Sequence, residues 1–133
     1  MAAAFESRTV SITIERSPQE VFAFVRDARN LPRWACGLGS SIDNVDGEWI
    51  ARTAQGSMKF RFVERNDFGV LDHYVKPQHG AEVYVPMRVI ANGSGSELVF
   101  TLFRLAGMTE EEFERDAATV LQDFSSLKRH LQG

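Results

Sequence analysis

Residues 12–35 read ITIERSPQEVFAFVRDARNLPRWA, and this stretch decides the fold because it joins a strand to two short helices. Just before and inside it, the apolar residues Val10, Ile12 and Ile14 alternate with polar ones. Such alternation is typical of a strand that is buried on one face. The chain is therefore predicted to open with a β-strand.

The helix that follows is predicted to begin at Ser17. Ser17 is a good N-cap residue, Pro18 suits the first helical position, and Glu20 stands three residues after the cap, as in a capping box. Pro32 then breaks the helical pattern, because proline lacks the backbone N–H that a helix interior needs. A second short helical turn, containing Trp34, is predicted after this break.

From residue 41 to 105 the sequence predicts successive antiparallel strands. Their segments are SSIDNV, GEWIART, SMKFRFVER, GVLDHYVK, AEVYVPMRVI and SELVFTLFRL. Turn signals such as Asp46-Gly47 and Asn92-Gly93 separate them. Because the connections are short, the pattern favours a meander of hairpins over parallel strands joined by helices.

The last segment, GMTEEEFERDAATVLQDFSSLKRHLQG, predicts a long amphipathic helix. Thr109 and Glu112 form a second capping box at its start. Apolar residues recur along it at steps of three and four, namely Phe113, Ala117, Val120, Leu121, Phe124, Leu127 and Leu131. One face of this helix is therefore expected to pack against the strands.

Length and charge narrow the class of protein. The chain has 133 residues, which suits a single domain spanning 1–133, and a formal net charge of −3. Its Lys and Arg residues are scattered, so no nucleic-acid partner is expected. A single cysteine, no leader-like start and no long apolar run predict a cytoplasmic protein without membrane insertion.

Two stretches resemble a known superfamily. Residues 12–35 are similar to its first strand, its Ser-Pro-x-Glu-Val-Phe helix start and its Leu-Pro-x-Trp break, and MTEEEFERDAATVLQDFSSLKRHL at 108–131 is similar to its last helix. This is the START and polyketide-cyclase superfamily (SRPBCC), which includes birch-pollen-allergen-like proteins. The resemblance covers nearly the whole chain. It implies an α+β helix-grip fold, in which a curved antiparallel sheet of about seven strands wraps around a long C-terminal helix and two short helices follow the first strand.

The resemblance also implies a cavity between sheet and helix that holds an apolar or amphipathic small molecule, such as a lipid, a quinone or an aromatic polyketide. Members of the superfamily include carriers, cyclases and dehydratases, so the fold leaves the function open. Besides a ligand-binding protein, the alternatives are a cyclase or dehydratase that uses His73 as acid-base, and an interaction module with an exposed apolar patch near Trp34 and the Gly-rich loop that follows it. No cofactor is expected, and the chain is expected to be a monomer or homodimer.

Strand alternation predicts which side chains face such a cavity. On SMKFRFVER, for example, Lys59 and Arg61 need water, so their neighbours face inward. The predicted ligand-binding residues are His73, Trp34, Trp49, Met58, Phe60, Val85, Met87, Val120 and Phe124. Core packing is the alternative for most of them, and Trp34 is either a core residue or part of the cavity mouth. Both faces of strand 97–104 are largely apolar, so its inward face stays open.

The segment GVLDHYVK at 69–76 carries three polar residues in a row that suggest catalysis, Asp72, His73 and Tyr74. Neighbouring strand residues point to opposite faces, so these three side chains cannot act together. Because Lys76 needs water, Asp72 and Tyr74 are assigned to the outer face, with surface roles, and His73 to the interior. There it is expected to be neutral and either to orient a ligand's carbonyl or hydroxyl or to be a structural histidine. As a general base it would need a partner, which Asp116 or Asp123 of the last helix could supply.

Other reactive residues give weaker signals. His73, His79 and His130 fall on a strand, a loop and a helix end, a spacing that disfavours a zinc site. No metal site is therefore predicted.

Cys36 has no acid-base partner close in sequence, and the neighbouring Gly-rich run lacks the signature of a phosphate-binding loop.

Overall fold

The computed structural model describes residues 3–35, 41–53 and 56–133 and has the predicted α+β class. Its elements, in chain order, are β1 (Ser7–Ile14), α1 (Pro18–Arg26), a 3₁₀ turn (Ala28–Asn30), α2 (Leu31–Trp34), β2 (Ser41–Val45), β3 (Glu48–Thr53), β4 (Gly56–Phe62), β5 (His73–Pro77), β6 (Val83–Val85), β7 (Met87–Asn92), β8 (Gly95–Phe103) and α3 (Glu110–Gln132).

The predicted helix boundaries are confirmed by their capping contacts. At α1 the Glu20 backbone N–H donates to the Ser17 hydroxyl at 3.2 Å. At α3 the Glu112 N–H donates to the Thr109 hydroxyl at 3.1 Å, and the Thr109 N–H donates back to the Glu112 carboxylate at 3.0 Å. These bonds satisfy N–H groups that have no partner inside the helix, so the Ser17 cap and the Thr109–Glu112 capping box fix where the helices begin. The predicted capping box at Ser17 is only half formed, because the Glu20 carboxylate accepts from the Ser17 hydroxyl at 3.3 Å instead of from the Ser17 backbone N–H.

The strands form two antiparallel sheets, in the orders β1-β8-β7 and β2-β3-β4-β5-β6. The segment before β5 links them: the Leu71 N–H donates to the Met87 carbonyl, and the Val89 N–H donates to the Gly69 carbonyl, both at 2.9 Å. The two sheets therefore meet along the edge of β7.

Two predicted strands have different bounds in the structure. AEVYVPMRVI was predicted as one strand, but it divides at Pro86 into β6 and β7, which belong to different sheets. Proline has no N–H to donate to a ladder, so a strand is readily interrupted there. The predicted strand GVLDHYVK begins only at His73, because the residues before it make the link to β7 instead, with a single bridge between Val70 and Arg88.

The long helix α3 packs against β1 and α2, and it is tied to β1 at its start and to the residues just after β1 at its end. Near its start, Glu114 forms an ion pair with Arg8 of β1. Near its end, the Arg16 guanidinium donates to the Leu131 carbonyl at 2.8 Å. These contacts hold the helix across the inner face of the sheets. None of the helices within residues 3–35, 41–53 and 56–133 combines the length and the apolar character needed to cross a bilayer.

We expect Gly69→Ala to destabilise the protein strongly. Gly69 has a φ of +73°, and an added Cβ would overlap the backbone carbonyl oxygen of Val89, the residue whose N–H donates to the Gly69 carbonyl in the link between the sheets. Gly93→Ala is a matched control, because Gly93 has a φ of +60° but open space around it. In urea unfolding, Gly93→Ala should lower the free energy of unfolding by about 1 kcal/mol and Gly69→Ala by about 3 to 4 kcal/mol. Equal losses would show that the close approach to Val89 is unimportant.

Candidate ligand-binding cavity

His73 opens β5 and is held inside a cluster of aromatic rings. Its side chain is 7% exposed. Its ring stacks on Phe60 at 4.8 Å between centroids, meets Phe62 edge-on at 5.6 Å, and lies tilted to Phe100 at 6.1 Å. The prediction that His73 faces the interior is therefore confirmed.

The hydrogen bonding of His73 fixes which nitrogen carries the proton. Nδ1 lies 3.0 Å from the Leu71 carbonyl oxygen, which can only accept a hydrogen bond. Nδ1 is therefore the protonated nitrogen of the neutral ring, and Nε2 is an acceptor. Among the described residues, the hydrogen bond of the His73 ring is the one from Nδ1 to Leu71, so Nε2 remains as the acceptor that faces the cavity.

Burial lowers the pKa of His73 to about 4, against an ordinary value of 6.5. The hydrogen bond to Leu71 and the charge of Asp72 oppose this effect without overcoming it. As expected from the sequence, the ring is neutral at pH 7.

Asp72 does not have the surface role predicted for it. Its side chain is only 6% exposed, although it points away from His73. The carboxylate accepts hydrogen bonds from the Tyr84 hydroxyl at 2.7 Å, the Met87 N–H at 2.8 Å and the Arg88 guanidinium at 3.0 and 3.1 Å. The prediction failed because alternation shows which face a side chain occupies but not what covers that face.

This network also sets the charge of Asp72. Burial raises its pKa, but the hydrogen bonds from Arg88, the Met87 N–H and Tyr84 outweigh burial and hold the pKa below its ordinary value. Asp72 is therefore ionised at pH 7 and bound to groups on the outer face. Tyr74 is half-buried there, with the Arg61 guanidinium 4.3 Å above its ring centre. The three consecutive polar residues thus form no catalytic triad.

A cavity of about 220 Å³ lies between the sheets and the helices, with His73 on its wall. The strands contribute Phe60, Phe62, Val75, Val85, Met87, Phe100 and Leu102. The first helical region contributes Val25, Leu31, Trp34 and Ala35, and α3 contributes Asp116, Thr119, Val120, Asp123 and Phe124. Since an engineered cavity of about 150 Å³ admits benzene, this volume suits a compact ligand of one or two rings.

Seven of the nine predicted ligand-binding residues border this cavity: His73, Trp34, Phe60, Val85, Met87, Val120 and Phe124. Their contact with a ligand stays a prediction. Trp34 is buried, at 8% exposed, so its own side chain does not contribute to the exposed apolar patch predicted near it, and most of the Gly-rich loop in that prediction lies outside the described residues. Its indole N–H has no hydrogen-bond partner among the described residues.

Trp49 and Met58 do not border the cavity. Trp49 borders a separate pocket with Arg26 and Lys59, while Phe60 and Phe62 border both pockets. Met58 is two residues nearer than Phe60 to the turn between β3 and β4, a distance of about 7 Å along a strand. Alternation identified the inward face of these strands but not where along them the cavity ends.

The sequence prediction also missed part of the lining. Phe100 and Leu102 show which face of β8 points inward, with Leu98 buried on the same face. Asp116 and Thr119 precede Val120 by four residues and one residue. Asp116 was considered only as a possible partner of His73, although its helical step from Val120 places the two side chains on one face of the helix.

The acidic side chains on α3 give one side of the cavity its polarity. Asp123 is buried, whereas Asp116 is exposed and still borders the cavity, so the cavity opens to solvent beside α3. Burial raises the pKa of Asp116, as does the charge of Glu112, while Arg115 opposes them. The Nδ1–H of His73 donates its hydrogen bond to the Leu71 carbonyl rather than to a carboxylate of α3.

Metal ligation finds no support in the described ranges, where no three His, Cys, Asp or Glu residues cluster in a way that could hold an ion. Cys36 and most of the Gly-rich run after it lie outside the described residues. The prediction about them stays untested.

The two antiparallel sheets bend around one long helix, and a cavity lies between the sheets and this helix. This arrangement defines the helix-grip class. Within that class, the family described as "Polyketide cyclase / dehydrase and lipid transport" matches residues 7–131, and the chain belongs to it. The superfamily recognised from residues 12–35 and 108–131 is thereby confirmed. No curated protein matches the chain in sequence.

Solved structures share this fold at low sequence identity. The protein XoxI from Bacillus cereus is 17% identical with a TM-score of 0.76, covering 98% of this chain and 96% of its own. A START superfamily protein from Mycobacterium smegmatis is 10% identical with a TM-score of 0.74, covering 95% and 97%. Ara h 8.0201 is 15% identical with a TM-score of 0.67, covering 97% and 99%. At these identities the likeness shows the fold alone.

We predict that burial of His73 makes stability depend on pH. The unfolded chain takes up a proton as the pH falls through 6.5, whereas the folded chain does so only near 4. The free energy of unfolding should therefore fall with pH over this interval, by about 2 kcal/mol between pH 8 and pH 5 from this group.

Urea unfolding at several pH values measures this contribution as the difference between the unmodified protein and His73→Phe, which keeps an aromatic ring in the cluster. His79→Asn is the control, since His79 is an exposed histidine in the turn after β5. It should retain the full pH dependence. Identical pH profiles for His73→Phe and the unmodified protein would contradict the prediction.

Proposed function

We propose that this protein binds a compact apolar or amphipathic small molecule in the cavity between the sheets and α3. The observation that carries the proposal is the cavity itself, about 220 Å³ with a lining that is mostly aliphatic and aromatic around one buried histidine. A concave, mostly apolar site with few polar groups is typical of small-molecule binding. Membership of a family described by cyclases, dehydrases and lipid transport supports the same general role.

The lining suits a ring system better than a long chain. Phe60, Phe62 and Phe100 surround His73 and present both faces and edges of their rings. Aromatic ligands gain from stacked and edge-on contacts of this kind beyond the burial of their area. Of the ligand classes expected from the sequence, aromatic molecules of one or two rings fit the volume best.

The enzyme alternative, a cyclase or dehydratase with His73 as acid-base, has less support. A neutral histidine can take up a proton at Nε2, but its Nδ1 partner is the Leu71 carbonyl rather than a carboxylate. A carboxylate in that position is what stabilises the imidazolium in catalytic triads. Binding is therefore the function that we place first. The interaction module stays a prediction without a supporting surface at Trp34.

We expect a large side chain at residue 120 to abolish binding. Val120 borders the cavity from the middle of α3, so Val120→Trp should fill the space that a ligand would occupy. Leu121→Trp is the matched control, because Leu121 is the next residue on the same helix and is 47% exposed. The probe is 1-fluoronaphthalene, whose size suits the cavity, and binding is followed by fluorine NMR line broadening.

The unmodified protein and Leu121→Trp should broaden the fluorine signal, with affinities within a factor of two of each other, and Val120→Trp should bind at least tenfold more weakly. Circular dichroism checks that both variants are folded. Equal binding by both variants would place the probe outside this cavity, and no binding by the unmodified protein would contradict the proposed function for ligands of this size.

A further inference from the structure

The polar groups that border the cavity are nearly all hydrogen-bond acceptors. Nε2 of His73 is an acceptor because the ring proton is on Nδ1, whose N–H donates a hydrogen bond to the Leu71 carbonyl. The Thr119 hydroxyl donates a hydrogen bond to the Arg115 carbonyl at 3.0 Å, so only the lone pairs of the hydroxyl oxygen are left for a ligand. The carboxylates of Asp116 and Asp123 accept hydrogen bonds when ionised.

The charges around the cavity also favour a ligand that carries hydrogen-bond donors. Within the described ranges, its lining contains two aspartates and neither lysine nor arginine. His73 adds no positive charge, because it is neutral at pH 7. A ligand carboxylate would therefore meet repulsion here without a cation to offset it, whereas an ammonium group would be attracted.

One donor borders the cavity among the described residues, the buried indole N–H of Trp34, which has no partner. A ligand oxygen that both donates and accepts, as in an alcohol or a phenol, is compatible with this N–H as well as with the acceptors. A ketone, a quinone or an ether offers acceptors alone and would leave Nε2 of His73 buried without a partner. Such an unpaired polar group is costly.

We propose that the cavity selects ligands by their hydrogen-bond donors, so that it takes hydroxylated or amine-bearing ring compounds and rejects carboxylates. The proposal rests on the proposed function and names the class of ligand for the same cavity. The donor would bind between Nε2 of His73 and the acidic side of α3, with the ring system against Phe60 and Phe62.

The test uses four naphthalenes that differ only at one substituent: 1-naphthalenemethanol, 1-naphthylmethylamine, 1-naphthoate and 1-ethylnaphthalene. At pH 7 they carry a hydroxyl, an ammonium, a carboxylate and an apolar group of similar size. Dissociation constants are measured for the unmodified protein by fluorescence titration. We expect the hydroxyl and ammonium compounds to bind at least tenfold more tightly than the carboxylate, since one lost hydrogen bond together with charge repulsion is worth about that factor.

Two variants identify the groups responsible. His73→Phe removes the acceptor, and it should reduce the preference for the hydroxyl over the ethyl compound roughly tenfold. Asp116→Asn removes a charge, and it should reduce the preference for the ammonium over the carboxylate compound by about fivefold to tenfold. Glu111→Gln is the charge control, because it removes one negative charge from an exposed position of α3 that does not border the cavity. It should leave every ratio unchanged.

The outcomes separate the two claims. Donor selection would be overturned if naphthoate bound as tightly as the hydroxyl compound, or if neither variant changed the preferences. In either case, binding of the ethyl compound would still demonstrate that the cavity takes a ligand. Failure of all four compounds, including the ethyl one, would overturn the proposed function and donor selection with it.

Discussion

At Pro86 the chain passes from one sheet to the other, and the carboxylate of Asp72 holds the two sheets together at that point. It accepts hydrogen bonds from the Met87 N–H, the Arg88 guanidinium and the Tyr84 hydroxyl, so β6 and the start of β7 share one anchor. A buried charge is tolerated only when it is paired and hydrogen-bonded, and removing one partner of such a group is strongly destabilising. The sheets meet at this contact, and the next residue, His73, lies on the wall of the cavity.

The position of His73 follows from that of Asp72. Adjacent residues of extended chain point to opposite faces, so an aspartate fixed on the outer side directs the next side chain inward. The Leu71 carbonyl then accepts a hydrogen bond from Nδ1–H, and the rings of Phe60 and Phe62 hold the imidazole in place. The outer network is thus saturated with hydrogen bonds, while the inner histidine keeps one nitrogen available. The same short segment supplies both the joint between the sheets and the main polar group of the cavity.

The sequence was informative where local rules decide the structure. Ser17 and Thr109 mark helix starts through hydrogen bonds to residues three positions away, and alternation placed His73, Val85 and Met87 correctly on the inner face. Prediction from the sequence failed where contacts between distant segments decide the structure. Asp72 lies on the outer face, yet Tyr84 and Arg88 cover it, and Trp49 belongs to a neighbouring pocket. Nothing local to Asp72 or Trp49 records those neighbours, whereas the helical spacing of Asp116 from Val120 could have placed Asp116 in the lining as well as among the possible partners of His73.

An apolar lining alone discriminates poorly among ligands, since one methylene in such a pocket is worth only about 1 to 3 kcal/mol. A buried polar group discriminates far better, because the wrong ligand leaves it without a partner. In this cavity the aromatic and aliphatic walls set the size of the ligand, whereas His73 and Asp116 set the chemistry of its polar end. Replacing the Leu71 carbonyl by a donor would reverse the roles of the two His73 nitrogens. The selectivity that we propose therefore depends on a backbone carbonyl at the joint between the sheets as much as on the side chains facing the ligand.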